Sequence, residues 1–145
     1  MAKKNLFRIR PTLKKDMPYL LMMVQNEDVM IPADFITGGM CAVNREDVPV
    51  GYIRVEETEK GPHVAPIAVF ENWRMHGVGK ALIKKALDKY GELKLVSNGT
   101  SNGFYERVGF VEIDWESIEP SFLRDCLECE FYETCNPKPY LLERE

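Results

Sequence analysis

The residues of this chain that could do chemistry fall into three clusters. The first is Arg74, then Gly77 and Gly79, with His76 and Lys80 beside them. A helix opening at Gly77 leaves its first amides without carbonyl partners, and its dipole adds partial positive charge there. Glycines let a phosphate approach such a backbone closely, but two glycines also ease the packing of a strand onto a helix. The stretch is not a P-loop, since G-K-[ST] is absent. It also lacks the third glycine and distal acid of a dinucleotide fingerprint.

The second cluster is "NGTSNGFYERVGF", residues 98–110, where Asn98 precedes Tyr105 by seven positions. Tyr105 reads as a half-buried aromatic whose phenol, with a pKa of ~10, is protonated at neutral pH. The third is C-x2-C-x5-C: Cys126, Cys129 and Cys135. Thiolates so spaced could chelate zinc, with Cys41 or a histidine completing the set, or ligate an iron-sulfur cluster. They could equally be free thiols or a redox pair. Around them, residues 112–133 hold eight acids against one base, Arg124. That run is either a solvated acidic loop or a face that attracts a cationic substrate.

The elements that must position these groups follow from periodicity. Asn5–Arg10 alternates as a strand, and residues 14–26 read as a helix with Leu20, Leu21, Met23 and Val24 inward. Met40–Val43 and Val50–Glu56 are two strands around a charged turn. Gly61-Pro62 breaks the chain, and His63–Phe70 is a buried strand in which Pro66 asks for a bulge. Leu82, Ile83, Ala86, Leu87 and Tyr90 then form the stripe of the strongest helix, stopped by Gly91. Leu93–Val96 is a strand, Ser101–Val108 a helix, and Phe110–Trp115 and Pro139–Glu143 the closing strands. This order makes one α/β domain, residues 1–145, around a largely antiparallel sheet with a parallel join. The loop 117–137 carries the three cysteines.

"IAVFENWRMHGVGKALI" resembles the acetyl-CoA-binding segment of the GNAT family of N-acetyltransferases, [RQ]-x-x-G-x-[GA] after a bulged strand. Arg74, Gly77 and Gly79 match, although Met75 stands where glycine is frequent. Asn98, Tyr105, Gly109 and Phe110 resemble the family's second signature. The resemblance implies a mixed, mostly antiparallel sheet with splayed central strands flanked by helices, and acetyl-CoA as co-substrate. It implies that Ile67, Ala68 and Val69 pair with the pantetheine arm. It further implies that amides of Met75, His76, Gly77, Val78, Gly79 and Lys80 hold the pyrophosphate beside Arg74. Asn98 would lie near the thioester, and Tyr105 would protonate the departing thiolate.

The implied reaction is direct attack of a primary amine on the thioester, with no cysteine inside either motif to carry the acetyl group. The acceptor is a small-molecule or protein amine, and the acidic segment favours a cationic one. Glu56, Glu57 and His63 are candidate bases, and nothing in the sequence chooses among them. The cysteine cluster lies outside the family pattern. A non-catalytic CoA-binding domain that senses metal or redox state is therefore the alternative reading. Net charge of -4 gives nucleic-acid binding no support, and no apolar run spans a membrane. The basic N-terminus lacks a signal-peptide core, so a cytoplasmic location is expected, and the resemblance leaves monomer or homodimer open.

Overall fold

A computed structural model of the chain describes residues 6–26, 32–97, 101–122 and 137–144. The strands are β1 (Arg8–Pro11), β2 (Gly39–Val43), β3 (Pro49–Thr58), β4 (Gly61–Val69), β5 (Glu92–Ser97), β6 (Val111–Glu112) and β7 (Lys138–Glu143). The helices are α1 (Met17–Asn26), α2 (Val78–Tyr90) and α3 (Asn102–Val108). Hydrogen bonding orders the seven strands β1-β2-β3-β4-β5-β7-β6, mostly antiparallel. The expected mixed α/β sheet with flanking helices is therefore present. Two compact units make up the chain: residues 1–56 with 64–86, and residues 57–63 with 87–145.

In the first unit β2 pairs antiparallel with β1 (Ile9↔Ala42) and β3 (Cys41↔Tyr52). Alternation puts Cys41, Val43, Tyr52 and Ala68 into one core with Leu20, Met23, Val24 and Phe35. Leu21, expected inward, is 38% exposed. It lies about 100° around the helix from Leu20, off the stripe that Leu20, Met23 and Val24 share. Asp16, just before α1, is buried and takes both Nη groups of Arg10, at 2.8 and 2.9 Å. Arg10, Arg8 and Lys15 all donate to Asp47 in the β2–β3 turn, which ties β1 and the start of α1 to that turn.

The second unit is built on β5 and β7, antiparallel from Glu92↔Glu143 to Ser97↔Lys138. The start of β4 joins it in parallel at His63↔Lys94. Two expectations fail here. Gly61 opens β4 at φ +105 instead of breaking the chain, because the turn falls at Glu59-Lys60. Phe110–Trp115 is not one strand: β6 ends at Glu112, and Trp115–Ser117 is a 3-10 turn. Ile113 still donates to the Pro139 carbonyl, at 3.0 Å, but proline has no N–H to return, and the ladder stops.

Candidate functional site

The glycine stretch is a turn that delivers a helix end. Beyond β4, Glu71–Trp73 form one 3-10 turn closed by Arg74 N–H on the Glu71 carbonyl, 3.2 Å. Met75 and Gly77 are both left-handed, at φ +69 and +80. The helix begins at Val78, one residue later than expected, and Gly77 is its cap: the Gly77 carbonyl takes the Ala81 amide at 3.0 Å. Amides of Val78, Gly79 and Lys80 thus precede the first intrahelical bond and point out of the helix. No atom lies within 4 Å of where a Gly77 side chain would begin, so the approach is open. Val78 is buried beneath, while Arg74, His76 and Lys80 are exposed around it, His76 resting on Trp73 at 5.6 Å. This geometry suits an anion held by backbone, with cationic side chains nearby. Ile67, Ala68 and Val69 end β4 just upstream, with Ala68 buried and the Ala65–Pro66 peptide cis.

The second motif lies in the other unit. Gly109, at φ +123, ends α3, and the Gly109 and Phe110 amides close on the Tyr105 carbonyl at 3.2 and 3.0 Å. The glycine and phenylalanine of the motif therefore hold the tyrosine. Tyr105 packs among Phe104, Phe110 and Tyr140, with ring centroids 5.3, 5.5 and 6.3 Å away. Burial pushes its hydroxyl up to about 12, so it keeps its proton at neutral pH. Asn98 lies outside the described residues.

Of the candidate bases, His63 drops out. It is fully buried, with Nδ1 2.9 Å from the Gly61 carbonyl and Nε2 3.1 Å from the Glu119 amide. A carbonyl needs a donor and an amide needs an acceptor, so the ring is the neutral Nδ1–H tautomer. Its lone pair is already used. Glu56 is exposed and bonded to Arg54, and Glu57 is exposed at the end of β3.

Cys41 or a histidine was expected to complete a metal site with the cysteine cluster. Cys41 lies instead in the core, its sulfur 3.4 Å from Thr12 Oγ1 and 3.7 Å from Asp16. Burial pushes this thiol up to about 12, as expected of a sulfur enclosed by the core. Cys126, Cys129 and Cys135 lie outside the described residues, and no group of three potential ligands occurs among those described. Sequence reading missed Arg54, a charge placed deep in β3; the run V-G-Y-I-R-V-E-E was its signal.

Residues 35–122 match the family model of the acetyltransferase (GNAT) domain. An uncharacterized N-acetyltransferase of Chlorobaculum tepidum is 30% identical over 82 residues, which cover 54% of this chain and 53% of that protein. The chain thus matches about half the length of that relative. Among solved structures, N-acetylglutamate synthase of Neisseria gonorrhoeae, complexed with coenzyme A and N-acetyl-glutamate, superposes with a TM-score of 0.76 at 15% identity. The match covers 96% of this chain and 35% of the synthase. Rv2747 of Mycobacterium tuberculosis, in complex with CoA, gives 0.73 at 14% identity over 95% of this chain and 99% of that one. At these identities the structural likeness concerns the fold. The matched span holds the left-handed turn, the opened helix end and the tyrosine motif, and by it the chain belongs to the GNAT acetyltransferase family.

Proposed function

We propose that this chain is an acetyl-CoA-dependent N-acetyltransferase that moves an acetyl group directly to a primary amine. The observation that carries the reading is the open end of α2: three outward amides behind a left-handed Gly77, inside the residues that match the family. Amides from Met75 to Lys80, with Arg74, hold the pyrophosphate. The backbone of Ile67, Ala68 and Val69 pairs with the pantetheine arm as an added strand would. Asn98, by its motif position, serves near the thioester. Acetyl-CoA supplies the activated acyl group.

The amine attacks the thioester carbonyl, an amide C–N bond forms and the C–S bond breaks. The bound ammonium gives one proton to a base before attack, which frees the nitrogen lone pair, and the nitrogen loses a second proton as the amide forms. Tyr105 protonates the departing sulfur and regains a proton from the nitrogen or from solvent. The acceptor approaches as an ammonium ion, which exposed Glu112, Asp114 and Glu116 favour by charge. Polyamines, lysine side chains and amino sugars belong to this class. The test is CoA thiol release over a panel of amines with purified protein. Acetyl-CoA-dependent release with at least one amine is the expected result. Tight acetyl-CoA binding with no transfer to any amine would return the chain to a non-catalytic CoA sensor.

A further inference from the structure

Tyr52, Arg54 and Glu56 alternate onto one face of β3, where side-chain exposure climbs from 0% through 15% to 46%. The apolar core that includes Tyr52 therefore gives way at Arg54 to open surface. A guanidinium so placed has lost most of its water and needs acceptors in exchange. Its bonds among the described residues run through Nη1, to the Ala65 carbonyl at 3.0 Å and to Glu56 at 3.2 Å. Nε is buried and meets no acceptor among the described residues. The nearby acid Asp34 feels the charge of Arg54 but makes no hydrogen bond to it among the described residues, and its Oδ1 takes the Ile36 and Thr37 amides at 2.8 and 3.1 Å. Arg54 is thus held in place by one edge, while its other N–H groups remain for an anion. A planar fork of N–H donors is the natural complement of a carboxylate.

The position of Arg54 fits the acyl end of the donor. With the pyrophosphate at residues 75–80, the pantetheine arm runs back along Val69 towards Ile67, so its acyl end faces the Ala65 side of β4. Neighbouring strands lie ~4.8 Å apart, and Arg54 is bonded to Ala65 itself. Building on the acetyltransferase reading, we infer that Arg54 holds a carboxylate of the acceptor, so that the acceptor is a free amino acid. Arg54 and Glu56 are an ion pair two residues apart on one strand face, and they match the opposite charges of a zwitterion.

The experiment compares amino acids with their decarboxylated amines, glutamate with 4-aminobutyrate and lysine with cadaverine among them, by CoA release at saturating acetyl-CoA. The expected result is kcat/KM at least tenfold higher for an α-amino acid than for its decarboxylated counterpart. Arg54→Met should raise the KM for that amino acid at least tenfold and abolish the preference. Arg54→Lys should recover part of it, and neither variant should change the KM for acetyl-CoA. A fold defect would show instead as weakened acetyl-CoA binding by calorimetry in both variants, and would overturn the binding role of Arg54. Turnover of decarboxylated amines equal to that of amino acids overturns this inference alone. No CoA release with any amine overturns the acetyltransferase reading and this inference with it.

Discussion

The Nε2 atom of His63 accepts the backbone amide of Glu119 at 3.1 Å, across 56 positions of sequence. A histidine that could have been a base is thereby a structural acceptor. Lys94 Nζ, which reaches the carbonyls of Lys60 and Ser117 at 2.7 and 3.0 Å, and Lys60 Nζ, on the Glu116 carbonyl at 2.8 Å, close the same junction.

His63→Ala should therefore cost stability and spare chemistry. It leaves a cavity beside Phe122, whose ring lies 4.8 Å from the imidazole, and a half-buried amide without an acceptor. The loss should be ~2–4 kcal/mol, read by denaturant unfolding. kcat per folded molecule should stay within about threefold; a drop of 10²-fold, as general-base loss gives, would restore His63 to the mechanism.

Gly77 separates conformation from space. With nothing within 4 Å, a side chain there meets no wall, and only the φ of +80 resists it. Gly77→Leu should cost ~1–2 kcal/mol of stability, the strain of a left-handed residue. Acetyl-CoA affinity should fall at least ~10-fold as the amides lose their aim. Calorimetry with unchanged affinity would leave the glycines as packing devices.

Met75 offers the reverse experiment. It is left-handed without being glycine, and its side chain is fully exposed. Met75→Gly removes ~1–2 kcal/mol of strain but adds ~0.5–1 kcal/mol of unfolded-chain entropy. The net gain should be up to ~1.5 kcal/mol in thermal or denaturant unfolding. A clear loss of stability would mean that the Met75 side chain makes a contact worth more than its strain.

The proton donation proposed for Tyr105 carries a condition. Its hydroxyl is pushed up to about 12, while an ordinary thiol titrates near ~8.5, so donation to a solvated thiolate runs uphill by ~5 kcal/mol. The gap closes when the thiolate is desolvated too. Cys41 shows the size of that effect in this chain, since burial takes its thiol to about 12. Tyr105→Phe should lower kcat ~10²-fold with little change in acetyl-CoA affinity. Because the phenol stays protonated, its ionisation should produce no alkaline fall in kcat below about pH 10. Such a fall in the parent, absent from Tyr105→Phe, would contradict the shift.

Acid should find the chain at Asp16. Burial raises the pKa of this carboxyl, but hydrogen bonds from Arg10 and the Leu13 amide outweigh burial and hold it below the usual range. A carboxyl lowered in the folded state adds stability above its unfolded pKa of ~3.9, lost as pH falls through the folded value. Unfolding free energy should therefore decline below about pH 4. Asp16→Asn should cost ~3 kcal/mol at pH 7 and flatten that decline. An unchanged acid limb in this variant would assign it to other carboxyls.

Local pattern made much of this legible. The α2 stripe, the order of elements and the two motifs are all short-range features, and Val78–Tyr90 lies within a residue of its expected bounds. What stayed hidden depends on partners far away in sequence. The burial of His63 needs Glu119 and Phe122, and the role of Cys41 needs Thr12 and Asp16. The early end of β6 needs the missing amide of Pro139 on the neighbouring strand. Alternation in Phe110–Trp115 carries no mark of that neighbour. The sequence marks Arg54 only as a charge inside a strand, and the structure reveals its buried Nε, unmatched among the described residues.

Gly51 has a bearing on the same helix from below. A side-chain carbon there would come within 2.6 Å of Val78 Cγ1 and 3.1 Å of Leu82 Cδ1. The missing side chain of β3 therefore fixes the height at which the first turn of α2 rests. Any larger residue at 51 acts as a shim, lifting the floor under Val78 and tilting the amides that surmount it. The phosphate seat proposed at Gly77 and Gly79 is levelled by a third glycine that no phosphate would ever touch.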